Sequence, residues 1–408
     1  MKIAFIVGQF PALSETFILN QITGLINCGH EVDIYTDNPS NEPKIHPDIE
    51  KYNLLEHTYY SRMPANHFLR VVKGVKLLVA NLYKNPLVLL RSLNVFKYGK
   101  NAVSLTLLYA AIPLLRKQPY DIIHCHFGPV GLKGALLRDI GTLQGKLITT
   151  FHGFDLTTYL QKYGERIQDL LFNKGDLFLP ISNLWKRRLV ELGCDEKKVM
   201  VHRMGIDCRK FAFIPRELHA DGRVRLLTIC RLVEKKGVKY GILAIAKLAK
   251  VNPNIEYNIV GDGPLKENLQ QLIQELDIGD IVKLLGWKQQ QELVDILNNT
   301  DILIAPSVTS ENGDQEGIPV AIMEAMAVGL PIISTQHSSI PELVEDGVSG
   351  FLVPEKDVNA LAKKLGYMIE QPQIRLEMGL AGRAYVENHY NINKLNEQLL
   401  EIYHQLLI

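Results

Sequence analysis

Short apolar runs separated by stretches of helical period recur along most of this chain. IAFIV (Ile3 to Val7) reads as a strand and leads through GQFPALS into a helix capped by Ser14 and stopped at Gly29. EVDIYT, DIIHCH (Asp121 to His126), KLITTF (Lys146 to Phe151) and DLFLPIS (Asp176 to Ser182) read as further strands. The last is followed by the helix NLWKRRLVELG, and KVMVHRMG closes the half. The pattern lapses between Met204 and Arg223, which reads as a linker, and then restarts. RVRLLTIC, IEYNIV, IVKLLG, DILIAP and PIIST are predicted strands, with helical segments such as VKYGILAIAKLAKV, PLKENLQQLIQELDI and QQELVDILNN between them. Alternation of this sort predicts the α/β class with doubly wound parallel sheets. At 408 residues the chain exceeds one ordinary core. We expect a first domain over 1–206, a second over 207–385, and a closing helical segment over 386–408 that packs back on the first.

Composition narrows the classes. Apolar residues make up 47% and charged residues 22%, enough for two cores and against long disorder. A net charge of +1 gives no global attraction to nucleic acid. Five scattered cysteines without a CxxC spacing signal neither a disulfide framework nor a zinc site, and suit a reduced, cytoplasmic compartment. The start MKIAFIVG reads as a strand, not a signal peptide, and no apolar run approaches the roughly 20 residues of a spanning helix. One region stands apart: from His57 to Tyr120 there are ten Lys or Arg and no Asp or Glu, with apolar residues interleaved. Ordinary core helices with a solvated basic face would look this way. So would a surface over 62–117 that sits on the anionic inner face of the cytoplasmic membrane or accepts an anionic, lipid-linked substrate.

Open parallel sheets bind ligands at the carboxyl ends of their strands. The residues found there are Gly8; His124 and His126; His152 with Gly153 and Asp155; Arg231 with Lys235 and Lys236; Gly261 and Gly263; Gly286; and the loop into Glu316. Each has an ordinary reading: a hydrogen-bonded loop histidine, a turn glycine, a solvated lysine. Arg231 and Lys236, five residues apart before a helix start at Gly237, nevertheless suit a diphosphate, a guanidinium fork beside a mobile ammonium. A second helix begins near Pro319, so the backbone N–H groups of Gly317, Ile318 and Val320 form another anion site to which Pro319 brings no donor. Glu316 precedes that helix and Glu324 lies within it, in the apolar run AIMEAMA, where a buried carboxyl needs a partner. The chain lacks GxxxxGK[ST] and has GQFPAL where a GxGxxG would follow the first strand, which disfavours P-loop kinases and nicotinamide dehydrogenases.

RLVEKKG (Arg231 to Gly237), VGDGP, EGIPVAIMEAMAVGLPIIST and IPELVEDGVSGFLVP resemble the retaining glycosyltransferase family 4, of the GT-B fold, and the resemblance covers nearly the whole chain. The opening FPALSETFILNQITGLINCGHEV, with HCHFG and TFHGFD, is similar to its exopolysaccharide branch of colanic-acid-type transferases. The resemblance implies two Rossmann-like domains facing across a cleft, the first binding the acceptor and the second a nucleotide sugar. It implies that Glu316 holds hydroxyls of the donor sugar and Glu324 those of the ribose. Gly317, Ile318 and Val320 would contact donor sugar or phosphate, and Arg231 and Lys236 would bind the diphosphate as it leaves. His152 would lie near sugar and acceptor, Gly8 would let the first loop approach the donor, and the base contacts would fall near Gly286. Cys230 stands where a glycine often precedes the arginine. The implied reaction moves a sugar from a UDP- or GDP-linked donor to a saccharide or lipid-linked acceptor, without metal or cofactor. A phosphorylase or epimerase on the same fold, or a non-catalytic sugar-nucleotide or glycan binding protein, would carry much the same pattern.

Overall fold

The computed structural model describes residues 1–12, 15–39, 46–213 and 221–408. Ser14, expected to cap the first helix, lies outside the described residues, as does part of the linker, 214–220. Contacts divide the chain into two compact units. The first comprises Met1–Ile181, Trp185–His202 and Asn396–Ile408, and the second Ser182–Leu184 and Arg203–Leu395.

The first unit contains six parallel strands: β1 Lys2–Ile6, β2 Glu31–Thr36, β3 Thr58–Tyr60, β4 Ile122–His126, β5 Lys146–Phe151 and β6 Leu177–Pro180. They lie in the order β3-β2-β1-β4-β5-β6. The central strand β1 pairs Ile3 with Val32 on one side and with Ile122 on the other. Ile3, Ala4 and Phe5 are fully buried, which is why the central strands read as unbroken apolar runs. The terminal helix Ile392–Leu407 sends Leu399, Ile402 and Tyr403 into this unit's core, and the Tyr403 hydroxyl lies 2.5 Å from His124 Nδ1.

The second unit repeats the plan with β7 Val224–Ile229, β8 Ile255–Val260, β9 Val282–Gly286, β10 Ile302–Ala305, β11 Ile332–Thr335 and β12 Gly350–Val353, in the order β12-β11-β10-β7-β8-β9. Helix Val238–Leu248 buries Val238, Gly241, Ile242, Ala244, Ile245 and Leu248, the spacing expected of one apolar helical face. Helix Val320–Ala327 ends where Gly329 takes a left-handed conformation (φ 82°), and Leu330 N–H donates to the Ala325 carbonyl.

Two features differ from the sequence expectation. β3 and β12 were not expected: each is a sheet edge of only three or four residues, too short to show a period. Pro319 caps its helix from outside rather than opening it. Among the described residues, no helix is long and apolar enough to cross a membrane, and all five cysteines are free.

Candidate active site

In the second unit the strand order reverses between β10 and β7, the place where an open parallel sheet leaves a crevice at its carboxyl edge. The loops that follow these two strands are tied together. Val308 N–H donates to the Lys235 carbonyl (2.8 Å), Glu311 N–H donates to Glu234 Oε1 (3.0 Å), and Lys235 Nζ donates to Asp314 Oδ1 and the Gln315 carbonyl.

This tie brings Lys236 to Glu316. Lys236 Nζ donates to Glu316 Oε2 at 2.8 Å, and Lys235 Nζ stands 4.0 Å from Oε1. The Glu316 side chain is buried, and its Oε1 accepts no hydrogen bond among the described residues. Burial alone would push this carboxyl up, but the two ammonium charges and the Lys236 hydrogen bond outweigh it and hold the carboxyl below its ordinary range. The backbone here is also pinned. Glu316 N–H donates to His337 Nε2 (3.0 Å), and the Ser338 hydroxyl donates to the Glu316 carbonyl (2.6 Å). Because His337 accepts at Nε2, its proton sits on Nδ1, which faces Glu355 Oε1 at 2.6 Å. Glu355 in turn accepts from Thr309 N–H at 2.7 Å. One carboxylate and one imidazole therefore fix both ends of the loop after β10.

Beyond Glu316, the amides of Gly317, Ile318 and Val320 make no hydrogen bond among the described residues, as expected of groups at a helix start. Glu324, half-buried on that helix, has no partner in the described residues either, and burial pushes its carboxyl up to about 7. The partner expected for it is thus absent from the described protein. Arg231 is exposed, and its side chain bonds to nothing described. Gly261 (φ 137°) packs so closely that a Cβ would fall 1.8 Å from the Cys230 carbonyl oxygen, so packing alone requires glycine there. Its N–H donates to the Gly286 carbonyl, linking the ends of β8 and β9.

In the first unit, three imidazoles form a row beneath the carboxyl ends of β4 and β5. His124 and His126 stack with ring centroids 4.7 Å apart, and His126 and His152 with 5.3 Å. His126 Nδ1 lies 3.1 Å from His152 Nε2. Burial holds all three well below the usual histidine value, His152 at about 3 with a further push from His124, so they are neutral near pH 7. The loop that carries His152 is gathered around Asp155, whose carboxylate accepts from the amides of His152 (3.1 Å), Gly153 (2.9 Å) and Gly128 (2.9 Å). Gly8 is exposed, and a Cβ added there would meet nothing within 4 Å.

Residues 14–210 match the family described as Glycosyltransferase Family 4, and residues 210–385 the family described as Glycosyl transferases group 1. The chain is 40% identical to the amylovoran biosynthesis glycosyltransferase AmsK of Erwinia amylovora, over the full length of both. It is 38% identical to WcaL of Salmonella typhimurium, a glycosyltransferase named for colanic acid biosynthesis, over 98% of this chain and 99% of that one. The chain belongs to this glycosyltransferase family. Among solved structures, Anabaena HepE in complex with UDP superposes with a TM-score of 0.72 at 18% identity, over 99% of this chain and all of that one, which shows the GT-B fold.

In this glycosyltransferase the residues singled out by sequence divide between the units. Arg231, Lys236, Gly261, Gly286, Glu316, Gly317, Ile318, Pro319, Val320 and Glu324 belong to the second, Gly8 and His152 to the first. Sequence reasoning named Lys235 and Asp155 but missed the approach of the first to Glu316 and the anchoring role of the second, and it missed the His337–Glu355 support altogether. His337 follows β11 directly, so the rule that selected the other strand-end residues could have found it. Among the described residues no group of three or more His, Cys, Asp and Glu could hold a metal ion. Because His337 touches Glu316 only through the backbone, His337→Leu is expected to lower turnover by about tenfold, with His337→Gln, which can still accept and donate, recovering most of it. Steady-state rates of the two variants at matched thermal stability check this.

Proposed function

We propose that this glycosyltransferase moves a sugar from a UDP- or GDP-linked donor to a hydroxyl of a saccharide or lipid-linked glycan, with retention of anomeric configuration and without a metal ion or cofactor, in exopolysaccharide synthesis. The Lys236–Glu316 pair carries the reading: a cation beside a buried carboxylate with one acceptor oxygen unfilled by the described residues, followed directly by amides that bond to none of them. The relatives named for amylovoran and colanic acid biosynthesis support the pathway class, at 40% and 38% identity over essentially whole chains.

In this reading Glu316 Oε1 accepts from a donor-sugar hydroxyl, and Glu324, without a partner among the described residues, takes the ribose hydroxyls. The amides of Gly317, Ile318 and Val320 face donor sugar or phosphate, with Gly286 near the base. Arg231 and Lys236 meet the negative charge that grows as the bond from anomeric carbon to phosphate oxygen breaks. The acceptor oxygen bonds to that carbon on the same face, and its proton passes to the departing phosphate oxygen. Glu316 is assigned no covalent role, because an ion-paired carboxylate held below its ordinary range is a weak nucleophile. His152 in the first unit, neutral near pH 7, is suited to hydrogen-bond sugar or acceptor hydroxyls but not to bind phosphate by charge.

A thermal-shift screen of UDP- and GDP-sugars is expected to show stabilisation by one nucleotide sugar, since a ligand of the native state raises its midpoint. With that donor, nucleotide release should rise when acceptor glycan is added and persist in chelator. Turnover that requires orthophosphate, donor conversion without acceptor, or binding without release would replace transfer by a phosphorylase, an epimerase or a binding protein. Glu324→Ala should weaken donor binding by about tenfold or more with a smaller change in kcat, the scale of a hydrogen bond to a charged acceptor, about 1.5–3 kcal/mol. Donor KM measured beside kcat separates the two.

A further inference from the structure

Helix His67–Asn81, HFLRVVKGVKLLVAN, is rich in apolar residues, yet only Gly74 and Asn81 are buried. It rests on its own unit through a narrow seam: a Cβ on Gly74 would fall 2.8 Å from Leu105 Cδ1, and the Tyr109 hydroxyl donates to the Arg70 carbonyl at 2.7 Å. At about 100° per residue, Phe68, Val71, Val72, Val75 and Val79 fall within about 100° of one another, away from the Gly74 seam. All five are exposed, Phe68 at 75% and Val79 at 70%. Lys76 and Lys73 flank the stripe on its solvent side, and both are exposed. Farther along the same basic stretch, Phe96 is fully exposed as well.

An outward apolar stripe needs an occupant, and charge decides which. The span from His57 to Tyr120 holds ten Lys or Arg and no acid, so a second copy would set one cationic surface against another. An anionic bilayer complements it, with lysines at the headgroups and the Phe68–Val79 stripe at the acyl boundary. We propose that helix His67–Asn81 lies in the interface of an anionic membrane, apolar stripe inward, and docks the first unit there. The inference rests on exposure and charge, and stands or falls independently of the donor chemistry proposed above.

Cosedimentation of the full chain with phosphatidylcholine vesicles, with and without phosphatidylglycerol, tests it. Binding should rise about tenfold or more with phosphatidylglycerol and fall with added salt. Phe68→Ser with Val79→Ser, and separately Lys73→Glu with Lys76→Glu, should each lower binding about tenfold while leaving the melting midpoint in place, since all four side chains are exposed. No preference for phosphatidylglycerol would overturn the proposal. So would vesicle binding untouched by the serine pair, or a dimer on size-exclusion chromatography that the serine pair splits.

Discussion

Lys236→Ala is expected to cut turnover by about 10²-fold or more, the scale of removing one preorganised donor from a developing anion. The same substitution acts on stability, because Glu316 is buried and Lys236 is the nearer of its two cations and the one that hydrogen-bonds it. Removing one partner of a buried pair costs about 3–5 kcal/mol, and the lower end applies here since Lys235 remains 4.0 Å from the other oxygen. The two effects separate in a second variant. Glu316→Gln placed on Lys236→Ala removes the stranded charge, so it should recover much of the unfolding midpoint and none of the turnover. The pH dependence has a definite sign as well. With its folded pKa held below the ordinary value of 4.5, Glu316 contributes stability that is present above that value and is lost as pH falls through the lower, folded one. That acid-side loss should shrink in Lys236→Ala. If Lys236→Ala turned over at the parent rate, the leaving-group role of this lysine would be wrong.

The sheets were legible in the sequence for a simple reason. Central strands such as Ile3–Ile6 and Ile302–Ile304 are buried on both faces and read as unbroken apolar runs between helices of clear period. The edge strands Thr58–Tyr60 and Gly350–Val353 carry no such signal, since three or four residues cannot establish an alternation. Lys236 and Glu316 were legible because each sits beside a helix start that a Gly or a Pro announces. Their direct pairing was not, for it depends on two loops 80 positions apart being laced by Val308 and Lys235. Local context suggested that Glu324 must have a partner, and the fold gives it none among the described residues. A carboxyl kept half-buried and unmatched is costly to a folded chain, and it is therefore among the stronger indications in the second unit that a ligand completes the site. The basic stretch after His57 was ambiguous by composition alone, because composition cannot say which way an apolar residue points. Exposure of the Phe68–Val79 stripe resolves the direction.

Asp155→Ala is expected to destabilise the first unit by about 3 kcal/mol or more. Its carboxylate accepts from three amides, and each donor left buried without a partner costs about 1–3 kcal/mol. One of those amides, Gly128 N–H, opens the helix Gly128–Ile140, so the substitution also removes a negative charge from a helix N-terminus. Asp155→Asn keeps one acceptor oxygen but turns an NH₂ toward a donor, so it should fall between alanine and the parent. Acidity offers an independent check. Burial raises Asp155 to about 6 from the ordinary 3.8, with those three amides and its own pulling the other way. A carboxyl raised on folding adds stability that is complete below the unfolded value and is lost as pH rises through the folded one. Between about pH 4 and pH 6 the parent should therefore lose up to about 3 kcal/mol that Asp155→Asn does not lose, from roughly two pKa units at 1.36 kcal/mol each. Urea unfolding across that window measures the difference. His152 is carried by the same turn, so Asp155→Asn should also lower kcat where the fold persists. A variant with parental stability but lost activity would instead move Asp155 from anchoring the loop to direct contact with substrate.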